Sequence, residues 1–296
     1  MFKTFAAFLN TYKLHPLEPD GNDSYKILFK CNSQTMDVTK NIVLISLDKP
    51  TLAMTAGNSI KTDDNFSLDI LKNNISRAKL KLRKLNFDQF AGDHSISFFE
   101  ITSSSIAGRE LKKWSDILFL RLKNLTDKKS NNLKVSASSL VSLFAFYIVP
   151  LPVYSLCIGS ETEADIFPDD IAGCIQQGYY FFSVRTTNPS VKKIISQKNV
   201  ALCLVPFSSK SKMYSLGKHH KDGRIEINNL DFKIIFSETL KIPIPEFSIN
   251  AIELKVLENF QYGGYTVFYA ETVNFAKYSD QVPLVHTPWY NLKKLS

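Results

Sequence analysis

Four segments follow one another between residues 164 and 221: ADIFPDDIAGCI (Ala164–Ile175), FFSVRTTNPSVKKII (Phe181–Ile195), VALCLVP (Val200–Pro206) and YSLGKHHK (Tyr214–Lys221). In this span three polar loops attach to apolar, strand-like runs. The middle loop crowds Ser183, Arg185, Thr187 and Ser190, and Asn188-Pro189 opens a helix there, Asn as the cap and Pro in the first turn. The N–H groups at such a helix start, with a guanidinium fork and hydroxyls beside them, suit a phosphate-sized anion. The same residues also read as an ordinary capped helix after a strand.

The flanking segments carry weaker signals. In ADIFPDDIAGC the Pro-Asp chemistry reads as a turn around a buried aromatic. The side chains of Asp169 and Asp170 diverge on a strand or in a turn, so no metal site is expected there. Adjacent histidines rarely share a metal, so Lys218, His219 and His220 read either as a mobile basic loop or as groups facing a phosphate or a nicotinamide cofactor. His286 and Trp289-Tyr290 belong to an aromatic tail that packs on a domain or a partner subunit. There is no GxSxG, GxGxxG or GxxxxGK[ST]. Hydrolase-type nucleophiles and Rossmann or P-loop sites are therefore disfavoured.

Working outward, SASSLVSLF reads as a short helix that leads into the strands FYIVPLPVYSLCIG and YYFFSVR. Further strands are FKIIFS, SINAIELKVLENF and GYTVFYAETVNF, the last two flanking a hairpin turn at Tyr262-Gly263-Gly264. Upstream, YKILF and NIVLISL read as strands. Ser67 is read as capping a helix that carries Leu71, Ile75, Ala78, Leu82 and Leu85 at 4-3-4-3 spacing. A strand is expected at 95–102 and a second helix on Leu111, Trp114, Leu118, Leu122 and Leu125. The polar run Thr126–Asn132 reads as a linker. These elements predict a mainly β chain with helices (α+β), its β part closed or sandwiched. The expected division is a small N-terminal region, 1–135, and a larger domain, 136–296.

The bulk composition agrees. The chain has 296 residues, 44% of them hydrophobic, enough for a sizeable core. Residues 1–150 hold 21 Lys+Arg against 14 Asp+Glu, a net +7, whereas residues 151–296 hold 15 against 14, a net +1. Such an asymmetry suits two different surfaces. Cys31, Cys157, Cys174 and Cys203 form no CxxC pair, so free thiols are expected rather than zinc or a disulfide framework. The N-terminus lacks a signal-peptide pattern. The most apolar run, Leu140–Ile158, is broken by Ser142, Pro150, Pro152 and Ser155, against a membrane span. A cytoplasmic protein is the expectation, with no nucleic-acid partner.

The order FYIVPLPV, DIFPDDIAG, SVRTTNPSV, VALCLVP and LGKHH, with IPIPEF and VHTPWY after it, resembles the flavin reductase-like, FMN-binding split-barrel family over about residues 140–292. More narrowly, it resembles a long-chain branch with an extra N-terminal region. The resemblance implies a split β-barrel that forms a homodimer, with FMN (or FAD) bound and NAD(P)H as hydride donor. Ser183, Arg185, Thr187 and Ser190 would contact the phosphate. Asp165, Ile166, Phe167, Pro168 and Asp169 would line the flavin, and Lys218, His219 and His220 would sit at its outer edge. The flavin carries the hydride chemistry, so no dedicated catalytic side chain is required. This chain departs from the pattern at Asp165, where an Asn is usual, and at Asp169, where an apolar residue is usual. A carboxylate accepts but cannot donate, and it repels phosphate. The alternative is a catalytically degenerate flavin-binding or interaction module whose basic N-terminal half docks an acidic partner.

Overall fold

The computed structural model describes residues 14–17, 23–55, 65–86, 96–107, 135–216, 225–227 and 230–288. The chain divides into two compact units, the body of one being Asp20–Pro150 and that of the other Leu151–His286. The fold is mainly β with a few helices. The segment read as a second helix, 111–125, and the linker at 126–132 lie outside the described residues.

A short strand, β1 (Leu14–Leu17), comes first. The first unit then holds β2 (Tyr25–Cys31), β3 (Gln34–Asp37), β4 (Ile42–Ser46), β5 (Thr51–Thr55), β6 (Phe66–Lys72), β7 (Ile75–Leu85) and β8 (Ile96–Ile106). They form one sheet in the order β3-β2-β6-β7-β8-β5-β4. Phe29, Phe66 and Phe99 pack ring against ring at 5.1–5.9 Å in its core. A helix, Ala137–Phe146, follows, capped by Ser136, whose Oγ accepts the Ser139 N–H at 3.0 Å.

The helix expected from Ser67 onward is not there; the segment is the β6–β7 hairpin. Two local features override the 4-3-4-3 spacing. Asn73 and Asn74 both adopt positive φ, 52° and 62°, which is the backbone of a tight two-residue hairpin turn. Beyond the turn, Ala78, Leu80 and Leu82 are buried while Lys79, Lys81 and Arg83 are exposed, a period of two. The expected strand FYIVPLPV is also corrected: its opening residues close the Ala137–Phe146 helix, and the chain becomes extended only at Leu151.

The second unit holds β9 (Leu151–Pro152), β10 (Tyr154–Gly159), β11 (Glu163–Asp169), β12 (Ala172–Gln176), β13 (Tyr179–Arg185), β14 (Asn199–Leu204), β15 (Ile225–Glu226), β16 (Ile234–Phe236), β17 (Pro243–Pro245), β18 (Asn250–Tyr262), β19 (Tyr265–Lys277) and β20 (Val285–Pro288). Eight of them form a sheet in the order β12-β13-β19-β18-β14-β10-β11-β15. β18 and β19 turn at Gly263, whose φ is +56°, the hairpin read from Tyr262-Gly263-Gly264.

Chain connectivity forces this sheet to curl. β11 and β12 stand six strand spacings apart, ~29 Å if the sheet were flat. Only Asp170 and Ile171 separate them in sequence, a link that reaches ~11 Å at most. The sheet therefore wraps until its edges meet at a seam, as a split barrel does. Its interior is filled by Leu156, Phe167, Phe182, Leu202, Leu254 and Phe268, among others. Phe182 and Phe268 stack at 4.9 Å across β13 and β19. A second apolar layer, including Ile166, Cys203, Met213 and Ile244, covers the outer face of β10, β11 and β14.

Candidate functional site at the barrel seam

The seam brings together much of what the motifs contain. Ala172 pairs with Phe182, and the Ser183 N–H donates to the Ile171 carbonyl at 3.1 Å. The corner Asp169-Asp170-Ile171 therefore lies alongside the last residues of β13. Phe182 and Val184 point into the barrel. By alternation Ser183 and Arg185 point outward in one row. Arg185 is exposed, as is Thr187 in the turn that follows. Ser183 is buried, and among the described residues its Oγ has no hydrogen-bond partner.

Asn188 and Pro189 start the helix Ser190–Gln197: Asn188 Oδ1 accepts the Ser190 N–H at 2.9 Å. Val191 and Ile194 seat this helix on the barrel core, and Lys198 ends it in the left-handed conformation. The Ser190 hydroxyl, 1% exposed, donates to Asp165 Oδ2 at 2.5 Å. A carboxylate of the chain itself thus stands where the helix start favours an anion.

The segment read as a polar loop around Phe167 is strand β11. Asp165 and Asp169 are 6% and 7% exposed and share Phe167's face, with Phe167 in the barrel core. Ile166 packs in the outer layer, and Pro168 is half-buried. The five residues of this stretch are thus divided between two faces. Lys218, His219 and His220 lie outside the described residues, as do Trp289 and Tyr290.

Asp169 and Asp170 are neighbours with opposite fates. Asp169 Oδ1 accepts the Ile171 N–H at 2.9 Å, but Oδ2 is buried without a partner among the described residues. Burial pushes its carboxyl up to about 8, and Asp170's charge adds to the rise against the Ile171 hydrogen bond. Burial thus favours the protonated, neutral form of Asp169. Asp170 Oδ2 instead accepts the His286 Nδ1–H at 2.7 Å. With Nδ1 protonated, His286 Nε2 is left to accept the Tyr214 hydroxyl in a short contact. Burial and Asp170's charge push the Tyr214 phenol up to about 12. Tyr214, His286 and Asp170 form a linked phenol–imidazole–carboxylate row that can hold or pass a proton.

This row went unforeseen, although each member lies in a quoted motif. The Asp170–His286 and Tyr214–His286 contacts span 116 and 72 residues. The pairing of β20 with β9, His286 opposite Leu151, brings the histidine there. None of the four cysteines is in a disulfide, and Cys157 and Cys203 are fully buried. Among the described residues no cluster of His, Cys, Asp and Glu could hold a metal ion, and no helix is long and apolar enough to cross a membrane.

No family model and no curated protein sequence matches the chain. Solved structures do. An FMN-binding protein from Thermus thermophilus with bound 1-cyclohex-2-enone is 17% identical over 43% of this chain and 71% of its own, with a TM-score of 0.39. Nitrilotriacetate monooxygenase component B from Mycobacterium thermoresistibile is 13% identical over 50% and 82%, TM-score 0.43. An NADH:FAD oxidoreductase from Streptomyces globisporus is 11% identical over 54% and 90%, TM-score 0.44. These neighbours are FMN-binding and flavin reductase-like proteins, and the likeness, one of fold, covers about half of this chain.

Proposed function

We propose that the barrel of the second unit binds a flavin nucleotide, FMN or FAD, at its seam and that the chain is an NAD(P)H-dependent flavin oxidoreductase passing electrons to a further acceptor. The observation that carries this reading is the convergence of Ser183 and Arg185 with the Asp169–Ile171 corner, beside the helix that opens at Asn188. Arg185 offers a bidentate fork to phosphate, Thr187 a hydroxyl, and Ser183 a hydroxyl that has no hydrogen-bond partner among the described residues. These three fit the phosphate; Ser190 does not, because its hydroxyl is engaged by Asp165. A bound flavin would supply hydride acceptance and electron transfer.

The chain's own residues do the rest. In its neutral form Asp169 places no second full charge beside Asp170. Asp170 fixes the His286 tautomer, and His286 Nε2 accepts the Tyr214 hydroxyl, so the imidazole can take up a proton that Tyr214 gives away. The test is the visible spectrum of the purified protein with FMN added, followed by NADH or NADPH. Flavin that co-purifies or binds and then bleaches is the expected result. The absence of any bound flavin at saturating FMN contradicts the reading.

One observation favours a second reading. Asp165 already satisfies Ser190 and the helix start. In a module without redox activity that carboxylate would fill the phosphate position permanently, and the net positive first half would dock an acidic partner. In that case D165N restores no flavin binding.

A further inference from the structure

The two units are built on one strand plan. In chain order the first unit's seven sheet strands run from β2 to β8, and the second unit's barrel strands are β10, β11, β12, β13, β14, β18 and β19. In both, the order across the sheet is second, first, fifth, sixth, seventh, fourth, third. All twelve neighbouring pairs are antiparallel. The non-sequential neighbours recur at the same places: first beside fifth, and fourth beside seventh. The closing corner recurs as well. In the first unit the edge strands β3 and β4 are joined by Val38, Thr39, Lys40 and Asn41 alone. That link reaches ~18 Å against ~29 Å for a flat sheet, so this sheet also curls toward closure.

What differs is everything that makes the seam a site. The second strand of the second barrel, β11, has seven residues and is mostly buried; its counterpart β3 has four, all exposed. The Asp170-Ile171 corner is replaced by Val38–Asn41, with no acid in it. The fourth strand runs on to outward-facing Ser183 and Arg185 in the second barrel, whereas in the first it ends at Thr55, the register counterpart of Ser183. Between fifth and sixth strands the second barrel inserts residues 205–249, which bring the helix Lys210–Leu216 and with it Tyr214. The first has only the turn Asn73-Asn74.

We infer that this chain is a tandem of two copies of the barrel, of which only the second keeps a ligand site, so that one flavin nucleotide binds per chain. This rests on the flavin reading above and assigns residues 23–107 the role of a barrel without a site. The test is equilibrium dialysis of the full chain against FMN, for wild type, R185A and K26A/K40A, the last altering two exposed lysines at the first barrel's corner. Expected are one FMN per chain in wild type, unchanged stoichiometry in K26A/K40A, and at least a tenfold loss of affinity in R185A. Two FMN per chain, or one that survives R185A and is lost in K26A/K40A, overturns the inference while leaving flavin binding intact. No FMN in any of the three overturns the flavin reading itself.

Discussion

The corner Val38–Asn41 and the corner Asp170-Ile171 do the same topological task with different chemistry. Each carries the chain from one sheet edge to the other. In the first, Asp37 is exposed and accepts from Thr39 through both its hydroxyl and its N–H, which hold the carboxyl below its ordinary range. In the second, Asp169 is buried and pushed up to about 8, and Asp170 is tied to His286. The difference teaches that strand order closes a barrel, whereas burial decides whether a carboxylate at the closure is a solvated turn-former or a perturbed group. Perturbed groups cluster where proteins do chemistry.

Breaking the second corner should cost more than breaking the first. H286A removes the hydrogen-bond partner that Asp170 and Tyr214 share, and it should lower unfolding stability by about 2–3 kcal/mol, read by urea denaturation. The comparison fails if K26A/K40A is equally destabilising. Y214F removes one hydrogen bond and should cost about 1 kcal/mol in the same assay.

The pH dependence sharpens the contrast. Asp169 ionises near its ordinary value when unfolded and at about 8 when folded. The folded state therefore keeps a proton that the unfolded state has released. Its contribution is full at low pH and falls as pH rises toward about 8. D169N removes that falling limb, so the variant should be more stable than wild type at pH 8, with the gap narrowing at pH 5. A gap that stays level between pH 8 and pH 5 would mean that Asp169 ionises as an ordinary carboxylate.

Glu253 slopes the other way. Burial pushes its carboxyl up, but hydrogen bonds from Asn274, Leu240, Thr239 and Ser237 outweigh it and leave it below the usual carboxylate range. Its contribution is present above the unfolded value and is lost as pH falls through the folded one. E253Q should cost about 1 kcal/mol at pH 7 and progressively less in acid, followed by thermal melts. The smallest effect belongs to the Asn73-Asn74 turn: N74G should be neutral to slightly stabilising, and N74V destabilising by about 1 kcal/mol.

Much of the second barrel was legible because its signals are local. Asn188-Pro189 starts a helix, Gly263 turns a hairpin, and VALCLVP has strand composition whatever its neighbours do. The first unit was misread where two periods coexist. Leu71, Ile75, Ala78, Leu82 and Leu85 fit a helical stripe, while Ala78, Leu80 and Leu82 fit a strand, and Asn73-Asn74 decides between them. The seam cluster was beyond a local reading. Nothing near Asp170 names His286 or Tyr214, and whether Asp169 is neutral depends on burial that only the closed barrel creates. The common strand plan was hidden too, because it lives in sheet order and not in residue identity.

The most direct measurement is the affinity of FMN for wild type, R185A and D165N, determined side by side. The account predicts weaker binding in R185A, by about 10–100-fold for the loss of a charge-assisted phosphate contact. It predicts tighter binding in D165N, where an amide that can donate replaces a carboxylate that repels phosphate. Equal affinity in all three would contradict the placement of a flavin phosphate at the seam.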